Sequence, residues 1–173
     1  TIDSLLMWSH YCYNHKGVCI GLDIDRVIKS VPPMFGTTYV EPLVLDVQYK
    51  DIIERPNGYQ YSKDIFSYQW RTKAKEWEYE QEVRLVIPNP SGLYASLTPQ
   101  QTNQDKEFWD GREIRHYMPL KAECFESIYF GVNIEQEEKE KIVRYVRKKL
   151  NPQINLYQME IDDNAFRLRP IKI

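Results

Sequence analysis

Apolar residues in this chain recur at two spacings, and the alternation between them predicts the elements. Leu5, Trp8 and Cys12 stand at i, i+3 and i+7 behind Ser4, a good helix cap, and ahead of Gly17, so residues 4–16 read as a short helix. Residues 18–23 alternate as a strand, and residues 25–31 add a helical turn that Pro32-Pro33 stops. A proline-rich connection leads to an alternating, β-branched strand at 43–49. Residues 62–76 return to helical spacing through Ile65, Tyr68, Gln69 and Thr72, with Ser62 as cap. Val83, Leu85 and Ile87 alternate with polar neighbours in a strand over 80–87, which Pro88-Asn89-Pro90-Ser91-Gly92 closes. Residues 88–110 then form an excursion.

Further strands fall at 112–120 and 127–131. The clearest helix spans 135–150, acidic at its start and basic at its end as the helix dipole favours, with Ile142, Val143, Tyr145 and Val146 as its buried side. Strands at 154–160 and 166–173 finish the chain, the last presenting Phe166, Leu168 and Pro170 on one face, and Pro170 argues for a sheet edge. This order lacks both a regular βαβ cadence and a glycine-rich phosphate loop. The expected fold is therefore α+β: a mixed, mainly antiparallel sheet with three to four helices, in one domain over residues 1–173.

Composition changes this picture little. With 173 residues, 42% hydrophobic and 28% charged, the chain can bury a core without disulfide or metal. Its apolar runs are too short to span a bilayer. Cys12, Cys19 and Cys124 are odd in number and lack CxxC spacing, which fits a reducing, cytoplasmic setting better than a disulfide framework or a zinc site. A net charge of −2, with one basic cluster at Arg144, Arg147, Lys148 and Lys149, argues against an extended nucleic-acid surface while leaving room for a small nucleotide ligand or a protein partner.

Two polar-aromatic motifs carry the candidate chemistry. The first is Met7-Trp8-Ser9-His10-Tyr11, followed by Asn14-His15-Lys16-Gly17. On a helix Trp8, Tyr11 and His15 fall along one stripe and His10 lies beside Asn14. Histidine can move a proton, and tyrosine and tryptophan can stack on a planar ring; the plainer alternative makes Trp8 and Tyr11 core and the histidines local struts. The second motif runs from Lys73 through Trp77, Glu80 and Glu82 to Arg84 and Leu85. On a strand Glu80, Glu82 and Arg84 share a face. Such a face serves either as a solvated, weakly paired surface or as a cleft in which Arg84 grips an anion and Glu82 orients a hydroxyl. His116, on the strand at 112–120, reads as scaffold. No metal-ligand spacing joins His10, His15, Glu80 and Glu82.

At these motifs the chain resembles the uncharacterised bacterial domain of unknown function 2971 family, whose pattern, roughly MWSHYA-x-x-HKG-x-CI and later K-x-x-x-W-x-x-E-x-E-x-R, is matched by residues 7–20 and 73–84. Phe125 to Gly131 fits the family's hydrophobic strand ending in glycine. Members carry a further stretch before this region, with a YKY-like strand and an NDPFE-like loop, so the resemblance implies that the chain is the later part of a longer domain. It also implies a setting near mobile-element and phage-defence genes, or in a toxin system. By looser analogy the layout is similar to that of ADP-ribosyltransferases. That analogy makes NAD a co-substrate, gives Glu82, or else Glu80, the ribose hydroxyl and the oxocarbenium-like transition state, and sets Trp8 and Tyr11 beside the nicotinamide. His10 then meets a ribose and Arg84 a phosphate, with His15 and Trp77 also assigned to the ligand. The alternatives are a non-catalytic sensor or interaction module and a metal-dependent nuclease or phosphoesterase.

Overall fold

The computed structural model describes residues 1–30, 42–53, 68–86 and 120–173. The expected proline-rich connection, most of the helix at 62–76, the excursion at 88–110 and the strand at 112–120 with His116 lie outside the described residues.

Four strands form the main sheet: β1 (Val18–Leu22), β6 (Phe125–Phe130), β7 (Asn155–Ile161) and β8 (Leu168–Lys172), in the order β1-β6-β7-β8. β1 and β8 run antiparallel to their neighbours, while β6 and β7 are parallel. The parallel pair is joined through helix α3 (Gln136–Tyr145), so the chain does contain one βαβ crossover, a unit that its irregular cadence elsewhere conceals. Pro170 sits on the edge strand β8, where its missing N–H costs no ladder bond. Two smaller pairs stand apart in register: β2 (Leu43–Asp46) antiparallel to β5 (Val83–Val86), and β3 (Gln48–Lys50) parallel to β4 (Thr72–Ala74). The fold is α+β with a mainly antiparallel four-stranded sheet.

Alternation along the sheet builds a core on each face. Ile128, Phe130 and Leu156 point to one side, where Val146 and Ile154 join them and Ile142, Val143 and Leu150 pack against the cluster. Helix α3 covers this side. Tyr145 is 63% exposed, so it is not part of the helix's buried side as its spacing predicts; the helix passes into a π turn at Val146–Leu150, and Val146 alone is fully buried there. The opposite face holds Trp8, Met159 and Leu168, flanked by Leu5, Cys12, Cys19 and Tyr129. Helix α1 (Leu5–Tyr11) lies over it, capped by the Ser4 hydroxyl accepting from the Met7 N–H.

Helix α1 is shorter than the predicted 4–16. Tyr13, Asn14 and His15 all adopt positive φ, at 47°, 52° and 64°, so the chain leaves the helix through a left-handed corner rather than continuing to Gly17. Each such non-glycine residue costs about 1 kcal/mol or more. The corner is held from outside: the Asn133 N–H donates to the His15 carbonyl at 2.9 Å and the Gly131 N–H to the Gly17 carbonyl at 3.0 Å. Gly131 is required by this approach, because a Cβ there would stand 2.1 Å from the His15 carbonyl oxygen.

Candidate functional site

The second motif does not fold as one strand. After β4, residues Lys75–Glu80 wind into a 3-10 helix, and Gln81 takes a left-handed conformation with φ 49° that reverses the chain into β5. Among the described residues helix α2 (Ile24–Ser30) makes no hydrogen bond to this region; Arg26 ties it instead to the 3-10 turn Ala122–Cys124 that leads into β6, donating to the Glu123 carbonyl. The end of α1 brings Tyr11 against the 3-10 helix.

Glu80 is the centre. It is 6% exposed, the one buried charged residue among the described residues. One of its carboxylate oxygens accepts from the Tyr11 hydroxyl and the other from the Lys73 ammonium, both in short contacts. Lys73 also reaches the Glu82 carboxylate at 3.4 Å. Arg84 closes the row as a fork, its Nε 2.6 Å and its Nη2 3.0 Å from the two Glu82 oxygens, while its Nη1 donates to the Trp70 carbonyl at 3.0 Å. The Glu82 N–H donates to the Tyr49 hydroxyl at 2.8 Å, pinning β5 to β3. The row therefore reads Tyr11, Glu80, Lys73, Glu82, Arg84: a phenol, two carboxylates and two cations.

The ionisation states follow from this geometry. Burial raises the Glu80 pKa, but hydrogen bonds from Lys73 and Tyr11 outweigh it and hold the carboxyl below its ordinary value. Arg84 does the same for Glu82, with Lys73 adding to it. Burial works against the Lys73 charge, and Glu80 and Glu82 overcome it and raise its pKa. Glu80 raises that of Tyr11 by accepting its proton in a hydrogen bond. At neutral pH both carboxylates are ionised, Lys73 is an ammonium and Tyr11 a neutral phenol. Lys73 is thus a charge holder rather than a nucleophile.

A trio of rings borders the row. His10 lies 6.3 Å from both Trp77 and Tyr79, and Trp77 and Tyr79 are 6.0 Å apart. The Lys73 ammonium stands 5.0 Å above the Trp77 ring, a cation–π contact. Trp77 remains 37% exposed.

Of the residues singled out in the sequence, the structure brings together His10, Tyr11, Trp77, Glu80, Glu82 and Arg84. Two belong elsewhere. Trp8 does not face a ligand beside Tyr11: it is 2% exposed, packed on Met159 and Leu168, with its indole N–H donating to the Ile2 carbonyl at 2.7 Å. Helix α1 ends at Tyr11, which is 59% exposed, so the predicted stripe of Trp8, Tyr11 and His15 is broken. His15 belongs to the left-handed corner, where its Nδ1 is enclosed without a hydrogen-bond partner. Glu80 does not share a strand face with Glu82 and Arg84; the Gln81 reversal turns it toward the same lysine from another direction. Arg84 directs three of its five N–H donors to Glu82 and the Trp70 carbonyl, so it holds a carboxylate in place. Lys73, Tyr49 and Tyr79 were not among the candidates. Among the described residues no three His, Cys, Asp or Glu side chains gather as metal ligands, and no helix is long and apolar enough to cross a membrane.

No curated protein and no solved structure matches the chain. Residues 7–85, which carry both motifs and every member of the row from Tyr11 to Arg84, match a family model described as Protein of unknown function (DUF2971), the family that those motifs resemble.

Proposed function

We propose that the row and its aromatic border form an ADP-ribosyltransferase-like site that acts on NAD. One observation carries this reading: Glu82 is held ionised by Arg84 and Lys73, 30% exposed, in the same row as the buried Glu80 and beside three aromatic rings. A fixed carboxylate of this kind suits two tasks. It accepts a hydrogen bond from a ribose hydroxyl, and it stabilises positive charge developing at the anomeric carbon as nicotinamide leaves. Glu80, with both oxygens engaged by Tyr11 and Lys73, supports Glu82 rather than competing with it. In this reading the ring contacts come from Trp77, Tyr79 and His10 rather than from the buried Trp8, and Arg84 holds Glu82.

The alternative, a non-catalytic binding module, is favoured by the saturation of the row: every oxygen of both carboxylates already accepts from a protein donor. Nicotinamide release from NAD by the full-length protein, measured beside Glu82→Gln with melting temperatures for both, decides between them. Release that vanishes in a variant of unchanged stability supports the transferase reading. Absence of release from the unaltered protein refutes it and leaves the binding module.

A further inference from the structure

We infer that Arg71 is the anion-holding residue of this site and that the anion it takes is a phosphate group of a nucleotide. The identity of the anion as phosphate rests on the nucleotide reading above, in which Arg84 is engaged by Glu82 and the charge of the ligand has no assigned partner. Arg71 is half-buried, and among the described residues nothing pairs with it. Its Nε is enclosed without a hydrogen-bond partner, its guanidinium enters no ion pair, and its terminal nitrogens, equally unpaired, reach solvent. The neighbouring cations are all engaged: Lys73 by Glu80 and Glu82, Lys75 by Glu78, and Arg84 by Glu82. The exposed Glu76 makes no ion pair with Arg71. Arginines that brace the fold elsewhere do so through carbonyls, Arg26 through that of Glu123 and Arg147 through that of Ile154. Arg71 braces nothing, and an enclosed N–H without an acceptor is a standing cost to the fold that an incoming acceptor removes.

The backbone puts Arg71 at the Arg84 end of the row. It directly precedes β4, and the carbonyl of Trp70, one peptide bond before it, accepts from the Arg84 Nη1 at 3.0 Å. Across the β3–β4 pair Gln48 stands opposite Thr72; the preceding Val47 is buried, and its N–H donates to the Glu82 carbonyl at 3.0 Å. The segment that carries Arg71 and the strand beside it are thus both hydrogen-bonded to the Glu82–Arg84 stretch. There the side chains of Glu82 and Arg84 remain 30% and 29% exposed, which leaves a ligand access. Within the row Glu80 and Glu82 are matched by Lys73 and Arg84, so Arg71 adds a positive charge that none of its carboxylates cancels. A guanidinium with its terminal nitrogens open suits a phosphate, because its planar fork presents parallel N–H donors to two oxygens.

Calorimetric titration of the full-length protein with ADP, adenosine and inorganic pyrophosphate tests this without depending on turnover. Unaltered, Arg71→Lys and Arg71→Met proteins are compared at one ionic strength. The unaltered protein is expected to bind ADP at least about tenfold more tightly than adenosine. Arg71→Met loses most of that margin while its adenosine affinity changes by less than about threefold, and Arg71→Lys, which keeps the charge without the fork, retains part of it. Because no partner is left stranded, Arg71→Met without nucleotide melts at or above the temperature of the unaltered protein. A margin that survives Arg71→Met overturns the assignment, as does ADP binding that is absent or no tighter than that of adenosine. A lowered melting temperature of Arg71→Met makes the residue a strut and overturns it too. Pyrophosphate that displaces ADP, binds more weakly than it and is lost in Arg71→Met supports the assignment; pyrophosphate that binds as tightly as ADP overturns the nucleotide as its source. ADP held through Arg71 by a protein that releases no nicotinamide refutes the transferase reading alone and leaves this inference standing.

Discussion

Replacing Lys73 by Met keeps most of the side-chain stem and removes the charge that Glu80 is built around. The Glu80 side chain is 4% exposed, so the variant leaves a buried carboxylate with only the Tyr11 hydroxyl for support. Removing one partner of a buried ion pair costs about 3–5 kcal/mol when the remaining charge has no escape. Here it has one: it can take up a proton. From the ordinary glutamate value of 4.5, protonation at pH 7 costs about 3.4 kcal/mol, at roughly 1.4 kcal/mol per pH step, which limits the penalty of the stranded charge itself. Tyr11 still donates to the carboxylate, so the expected destabilisation at pH 7 is about 2–3 kcal/mol.

The sign of the pH dependence separates this account from a simple packing defect. In the unaltered protein the folded-state pKa of Glu80 lies below 4.5, so its contribution is complete above that value and is lost as pH falls through the folded pKa. In Lys73→Met the folded pKa lies above 4.5, and the variant loses stability as pH rises from there. The gap between the two proteins therefore widens from pH 5 to pH 7. Urea unfolding at both values, with slopes compared, measures it. A gap of equal size at pH 5 and pH 7 refutes the reasoning, and so does a double variant Lys73→Met/Glu80→Gln that is no more stable at pH 7 than Lys73→Met alone.

Three further outcomes are expected. Tyr11→Phe leaves the Lys73 contact with Glu80 in place and lowers the melting temperature by less than Lys73→Met does, as read by thermal denaturation at pH 7. Trp8→Ala, which empties a site 2% exposed and strands the Ile2 carbonyl, costs about 3–5 kcal/mol in urea unfolding, and Trp8→Phe costs less. Gly131→Ala forces a methyl toward the His15 carbonyl at 2.1 Å and lowers the melting temperature more than Gly17→Ala, whose Cβ would meet Cys12 backbone at 3.2 Å.

Periodicity located the sheet and helix α3 because those segments bury one face against a continuous core, and hydrophobic spacing reports that condition directly. It failed where backbone geometry is set by something else. The helix at 4–16 was overextended because nothing in Tyr13-Asn14-His15 announces positive φ; the corner is imposed by Gly131 and Asn133, more than a hundred residues along the chain. Residues 72–76 have helical spacing but form β4 and the start of a 3-10 helix, since pairing with β3 overrides local preference. The convergence of both motifs was legible only as two concentrations of costly residue types. Strand alternation does not single out Lys73, because its partners lie seven and nine residues on, on either side of a reversal at Gln81. A lysine preceding two closely spaced glutamates was the available signal.

The contact between Tyr11 and Glu80 spans 69 residues of chain, and its helix is anchored by a strained corner that exists only while β6 is docked beside it. Closing a loop of that length and holding three left-handed residues both draw on free energy that the assembled sheet must supply first. The site therefore depends on the assembled sheet, and hydrogen exchange at Tyr11 and Glu80 is expected to report a smaller opening than the global unfolding of the sheet.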